Sequence, residues 1–222
     1  MTEKKENLAG HFIGQLDTLV AFLALAHDEV FEVVRSEYDN WVPSDQHSTL
    51  PNSFAIYQTQ VSHAAFLLGF SYFEAFLTDV VHLIFRRRPV ILPKDRKISF
   101  GEIMSGDPGR DVIEVLIEKE VQDVFFAKSF GDIAAYFDSR LNITWPSISS
   151  IPKAKALRNC IIHNMARADA RLAETDPTRW RVGDEIAMTP SEVHAFGLDA
   201  RRFARELWPQ VQRQQPNDPN QD

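Results

Sequence analysis

Apolar residues recur along this chain with a helical period almost from end to end. Between residues 6 and 39 they stand at Leu8, Phe12, Leu16, Leu19, Val20, Leu23, Val30, Phe31 and Val34. That is the stripe of a long amphipathic helix, and His27-Asp28 marks where it could break. Asp39 to Asn52 holds Pro43, Ser44, Asp45, Ser48, Pro51 and Asn52, and reads as a loop. Ser53 is the expected cap of a second helix that runs to about Arg87. Arg86-Arg87-Arg88-Pro89 ends it, because cations suit a helix C-terminus and proline disfavours continuation. Ser99-Phe100-Gly101-Glu102 reads as the start of a short helix. Residues 109–127 and 130–141 read as two more, the latter opening at Ser129.

Trp145-Pro146 then breaks the chain before an apolar, helix-like segment from Ile151 to Met165. From Thr175 to Thr189 the period changes. Trp180, Val182, Ile186 and Met188 are spaced by twos and fours around Gly183-Asp184, the pattern of a β-hairpin. Thr189-Pro190-Ser191-Glu192 opens a last helix, which runs to about Gln212. The polar residues 214–222 read as a disordered tail. The expected fold class is all-α: an antiparallel helical bundle with a small β-hairpin before the last helix.

Composition sharpens this only in places. A chain of 222 residues suits one domain with an elaboration, or two small ones. The expected organisation is a single helical domain over residues 1–213, with 1–40 as an N-terminal helical elaboration. A hydrophobic content of 44% permits a sizeable core. The net charge of −7 argues against a general nucleic-acid coat, which needs many phosphate-neutralising cations, but leaves room for a small local basic site.

Cys160 is the one cysteine and has no thiol to pair with, so it reads as a small packed residue. The apolar stretch from Ala64 to Phe85 contains Glu74, Asp79 and His82, which a membrane span tolerates poorly, and is read as a buried core helix. The start Met-Thr-Glu-Lys-Lys-Glu-Asn lacks the basic-then-apolar order of a signal peptide. The expectation is a soluble, cytoplasmic protein with no membrane partner. His63 and His82 are nineteen residues apart and make no metal pair, and there is no glycine-rich phosphate loop. No metal or other cofactor is expected.

Chemistry concentrates in Arg158-Asn159-Cys160-Ile161-Ile162-His163. Asn159 and His163 are four apart and share a helix face. Arg158 sits roughly 140° round the helix from His163, but its side chain is long enough to swing back. A cationic fork, an amide and a ring that titrates near neutrality suit a phosphodiester. Against this stands the ordinary alternative, a satisfied core or surface histidine and an Arg-Asn pair that only ties a helix end to a loop.

The stretch resembles the RNxxxH motif of HEPN-domain proteins, an all-helical family that includes many metal-independent ribonucleases of toxin and defence systems. Phe70-Ser71-Tyr72-Phe73-Glu74-Ala75-Phe76-Leu77 resembles that family's acid-bearing first core helix, and the likeness extends over roughly Phe54 to Trp208. It implies an endoribonuclease acting at a homodimer cleft, where two motifs face each other, and leaving a 2′,3′-cyclic phosphate. His163 would then handle the proton, Arg158 the phosphate charge, and Asn159 the positions of both. Glu74, Tyr72 and Asn164 are the expected supporting residues, with Glu74 as a partner for Arg158. The implied partners are RNA, a second copy of the chain, and an antitoxin or sensor protein in a toxin or phage-defence setting. Some relatives carry a tyrosine two places after the histidine; Met165 departs from that. The alternative is a non-catalytic helical adaptor that binds a protein or nucleotide, or a chain whose first helix is an oligomerisation arm.

Overall fold

The computed structural model describes residues 7–41, 50–95, 97–99, 101, 111–126 and 129–214, and the side chains of these except at 25–41, 50–57 and 126. Seven α-helices appear there: α1 (Leu8–Trp41), α2 (Leu50–Arg87), α3 (Val112–Phe126), α4 (Phe130–Ser139), α5 (Ser150–His163), α6 (Ala170–Thr175) and α7 (Pro190–Gln212). A single 3-10 turn, Pro89–Ile91, follows α2. The fold class is all-α. The expected tail at 214–222 lies outside the described residues from 215 on, as do residues 42–49 and most of the short helix expected near Ser99; the two ends of the loop expected over Asp39 to Asn52 are helical, in α1 and α2.

The chain divides into two compact units. One comprises Gly10–Phe73 and Ile148–Arg202, the other Met1–Ala9, Glu74–Ser147 and Phe203–Asp222, so α1, α2 and α7 contribute residues to both. In the first unit, α1 buries Phe12, Leu16, Leu19 and Leu23, which recur at spacings of four and three. Their partners on α2 are phenylalanines: the Phe12 and Phe73 rings stand 6.2 Å apart. Phe196 of α7 meets Phe66 edge-on at 5.1 Å and stacks on Phe70 at 6.0 Å. Gly69 makes this approach possible. A Cβ there would lie 3.0 Å from Leu19 Cδ2 and 3.6 Å from Phe196 Cε1.

In the second unit the later half of α2 buries Phe76, Leu77, Val80, Val81, Ile84 and Phe85. Trp145 touches Phe137 at 5.0 Å and Phe203 at 4.8 Å between ring centres. The three arginines at the end of α2 all have protein partners. Arg86 forks onto both oxygens of Glu114 at 2.7 Å, Arg87 reaches the Val211 carbonyl, and Arg88 bonds the Gln214 side chain. Gln210 receives the Thr144 N–H at 2.9 Å and donates to the Thr144 carbonyl at 3.0 Å, fixing the loop before α5. Gln58–Arg87 of α2 is long and apolar enough, by length and composition alone, to cross a membrane; half of its apolar window is buried within the protein.

Helix starts follow local chemistry. Ser129 and Asp132 form a reciprocal capping box at α4. Thr189 and Glu192 make the same exchange at α7, with Thr189 N to Glu192 Oε2 at 2.8 Å. Several expectations need correction. α1 runs unbroken past His27-Asp28. α2 begins at Leu50 rather than Ser53, with Pro51 in its first turn, where a missing N–H costs nothing. α5 stops at His163, before Met165.

The expected hairpin is absent: no strand forms among the described residues, and Arg167 and Glu185 share one isolated antiparallel bridge. The hairpin does not form because the residues from Gly183 on turn to the segment after α5, while Trp180 N bonds back to Asp176 O at 3.0 Å. Gly183 N bonds Ala168 O at 2.8 Å, Ala168 N bonds Asp184 O at 2.9 Å, and Ile186 N bonds Ala166 O at 2.8 Å. The intervening residues carry α6, which Asp169 caps by accepting from Leu172 N.

Candidate functional site

α5 carries the Arg-Asn-His motif, and the unit built from Gly10–Phe73 and Ile148–Arg202 holds the whole helix. Its start is fixed by Ser150 Oγ, which donates to Asp199 at 2.6 Å, and by Lys153, whose ammonium meets Asp176 at 2.5 Å. Ile151, Ala154 and Cys160 form its buried face. Burial pushes the Cys160 thiol above its usual value, with the Asp169 backbone acting the other way. Towards the C-terminus the apolar stripe surfaces: Ile162 is exposed and Met165 is 88% exposed.

Two of the three motif residues touch. Arg158 Nη1 donates to Asn159 Oδ1 at 3.1 Å, and both side chains are half-buried. His163, one turn beyond Asn159 on the same face, is exposed and ends the helix. The site thus offers a guanidinium and amide held together, with a solvent-facing imidazole four residues on.

Asn164 is exposed, caps α5 through its N–H to Cys160 O, and donates its side-chain amide to Arg167 O at 2.7 Å. Its side chain therefore serves the turn. Tyr72 is half-buried on α2 in the same unit as the motif. Glu74 is half-buried two residues later and belongs to the other unit. Among the described residues no group of three or more His, Cys, Asp or Glu is arranged to hold a metal ion.

The turn after His163 is unusual. Met165 and Ala166 both adopt positive φ, at 49° and 55°, in the left-handed region that costs a residue with a Cβ of the order of 1 kcal/mol. Backbone bonds hold them there: Ala166 N to Cys160 O at 3.1 Å, Arg167 N to Asn164 O at 2.9 Å, and Ile186 N to Ala166 O. This turn forms one wall of an open hollow of about 460 Å³, in which Gln60, His63 and Leu67 of α2 face Ile161, Met165 and Ala166.

His63 is the functional candidate that sequence reading passed over. It is only 4% exposed, and its Nε2 has no hydrogen-bond partner. Burial pushes its imidazole below the usual value, opposed by a backbone bond with Ile186 and by the charge of Glu185. The available signal was a histidine inside an apolar helix, which acquires meaning only when residues about a hundred positions away are brought to it. Compared with family models, with curated proteins and with solved structures, the chain finds no match.

Proposed function

We propose that this protein is a metal-independent endoribonuclease of HEPN type, acting as a homodimer and leaving a 2′,3′-cyclic phosphate. The observation that carries the reading is the arrangement at the end of α5. Arg158 and Asn159 are bonded to each other, and the one titratable group of the motif, His163, is open to solvent. His163 bonds none of the described residues, so its imidazole is open to a substrate; an ordinary surface histidine is exposed too, and the Arg-Asn-His spacing is what favours the catalytic role.

The reaction needs only these functions. The ribose 2′-hydroxyl loses its proton as its oxygen bonds to phosphorus, and the bond from phosphorus to the 5′-oxygen breaks as that oxygen gains a proton. Imidazole moves protons near neutral pH and supplies roughly 10²–10⁴-fold in rate. The guanidinium fork meets the phosphoryl oxygens as charge grows on them. Asn159, holding Arg158, orients that fork. Each chain brings one motif histidine, so a second copy is proposed to complete the acid–base pair. The RNxxxH resemblance places such an enzyme among toxin or phage-defence effectors, restrained by an antitoxin or triggered by a sensor.

The second reading is a non-catalytic adaptor that binds a protein or nucleotide. The net charge of −7 and the commitment of Arg86, Arg87 and Arg88 to internal bonds favour it, since those arginines are spent on the fold rather than offered to RNA. Cleavage of labelled RNA in EDTA separates the two. The nuclease reading expects a cyclic-phosphate product that disappears in His163→Ala and in Arg158→Ala. A folded dimer that cuts none of a panel of RNAs would favour the adaptor.

A further inference from the structure

We propose that the hollow between α2 and the end of α5 is a nucleobase-binding site, which seats a base of the RNA beside the cleaved phosphodiester; this rests on the ribonuclease reading above. Three observations converge on it. The first is size and place. About 460 Å³ is ample for one base with its ribose, and the lining residues Ile161 and Met165 flank His163 two positions to either side.

The second is His63. A buried polar nitrogen without a partner is rare in folded proteins, because it loses its bond to water and gains none in return. A neutral imidazole has one N–H and one bare nitrogen. The Ile186 backbone bond favours the ring's N–H, and Nε2 is the nitrogen without a partner, so Nε2 is the bare acceptor. An acceptor of this kind wants an N–H, and every nucleobase carries one on its pairing edge. An aliphatic ligand would leave it unpaired. A phosphate does not suit the hollow either, since no Lys or Arg stands among its lining residues. The base therefore sits in the hollow and the phosphate outside it, where the motif stands.

The third is the strained turn. Backbone strain persists where surrounding bonds enforce it, and such positions cluster at binding sites. Here the strain carries Met165, with 88% of its surface exposed, onto the wall of the hollow. A methionine thioether makes favourable contact with an aromatic ring, and Leu67 and Ile161 provide apolar surface for a base to lie against. Gln60 offers an amide able both to donate and to accept at the rim. The same turn that ends the motif helix thus supplies part of the base seat, tying recognition to the scissile position through a few residues of chain.

The test is titration of the full-length native protein with the four ribonucleosides, which contain no phosphodiester to cut, followed by isothermal calorimetry or by the imidazole NMR signals. At least one nucleoside is expected to saturate. Its affinity should fall about tenfold in His63→Phe, which keeps a ring but removes the acceptor. It should fall at least as far in Ala64→Trp, an exposed lining position where the indole fills the hollow. Ala64→Trp keeps the question open to refutation should His63→Phe misfold.

Saturation by none of the four, or binding that both variants leave intact, would overturn the base site. RNA cleavage is scored separately on the same samples. Nucleoside binding lost in both variants, with no RNA cut by the native chain, would refute the ribonuclease and leave the base site standing. Cleavage by the native chain with no nucleoside bound would do the reverse.

Discussion

Arg158 Nη1 lies 3.1 Å from Asn159 Oδ1, so two adjacent helix residues whose side chains leave the axis about 100° apart are bonded to each other. Neighbours on a helix rarely meet in this way, and the bond costs the arginine some of its rotamer freedom before any substrate arrives. A fork already oriented loses less on meeting a phosphate. Asn159→Ala is therefore expected to weaken RNA cleavage by one to two orders of magnitude without removing the charge. Arg158→Lys should do at least as much, because an ammonium cannot take the amide and two phosphoryl oxygens in one plane. His163→Ala is expected to lose roughly 10²–10⁴-fold. Single-turnover cleavage rates, read beside unchanged melting temperatures, decide the matter; equal loss of folding in all three would remove the catalytic interpretation.

The left-handed pair after His163 gives a prediction of opposite sign. Ala166 and Met165 pay for their Cβ atoms at φ values of 55° and 49°. Ala166→Gly is expected to stabilise the protein by a few tenths of a kcal/mol, since relief of about 1–2 kcal/mol of strain is offset in large part by about 0.4–1 kcal/mol of added freedom in the unfolded chain. Urea unfolding measures it. A destabilised variant would mean that the Ala166 methyl carries packing worth more than the strain.

Histidine titration sets a pH dependence. Burial lowers both His63 and His82 from the ordinary value of 6.5, and the neighbouring Arg86 lowers His82 further. In the unfolded chain each ring takes up a proton near pH 6.5, whereas in the folded chain it does so at lower pH. Between those points the unfolded chain binds more protons, so stability falls as pH drops through and below about 6.5. His63→Phe should flatten part of that fall. A melting temperature that stays level from pH 7.5 to pH 5.5 would contradict the assignment.

Cys160 is buried, and burial raises its thiol. Thiolate is the reactive form, so labelling at pH 8 should be slow in the native protein and fast in urea. Native labelling as fast as in urea would show that α5 opens readily at its motif end, which the turn bonds described above should prevent.

At α4 the exchange between Ser129 and Asp132 satisfies two donors that a helix start otherwise leaves open. Ser129→Ala is expected to cost about 1 kcal/mol, measured by thermal or urea unfolding, and Ser129→Gly only a few tenths.

Much of this architecture was legible in the residues themselves. The four-three-four spacing of Phe12, Leu16, Leu19 and Leu23 names the buried face of α1, and the arginines before Pro89 mark the end of α2. Ser129 and Thr189 announce their helices because capping depends on residues three apart. Failures arose where a distant segment decides the outcome. The spacing of Trp180, Val182, Ile186 and Met188 around Gly183-Asp184 looks like a hairpin, but the backbone partners of Gly183, Asp184 and Ile186 are Ala166 and Ala168, which no local pattern links to them. Met165 continues the apolar period of α5 yet falls outside the helix, because the chain reverses at Asn164. The short helix at Ala170–Thr175 went unread; six residues give too little period to recognise.

The motif at Arg158, Asn159 and His163 could be picked out by residue type and spacing alone. The bond between Arg158 and Asn159 could not, since the spacing equally allowed the guanidinium to reach towards His163. His63 was visible as a residue and invisible as a site, because its neighbours Ile161, Met165 and Ala166 come from the other end of the sequence.

The single bridge between Arg167 and Glu185 closes a small ring of chain. With Ala166 and Ala168 fastened to Ile186, Gly183 and Asp184, everything between them, including α6 and the exposed turn at 177–179, becomes a side excursion whose two ends are already joined. Residues added at that turn lengthen the excursion alone, and the entropy of closing a longer loop grows only slowly with its length. Evolution could therefore vary this segment in size, or graft a recognition element onto it, while the passage from the motif helix into α7 kept its register.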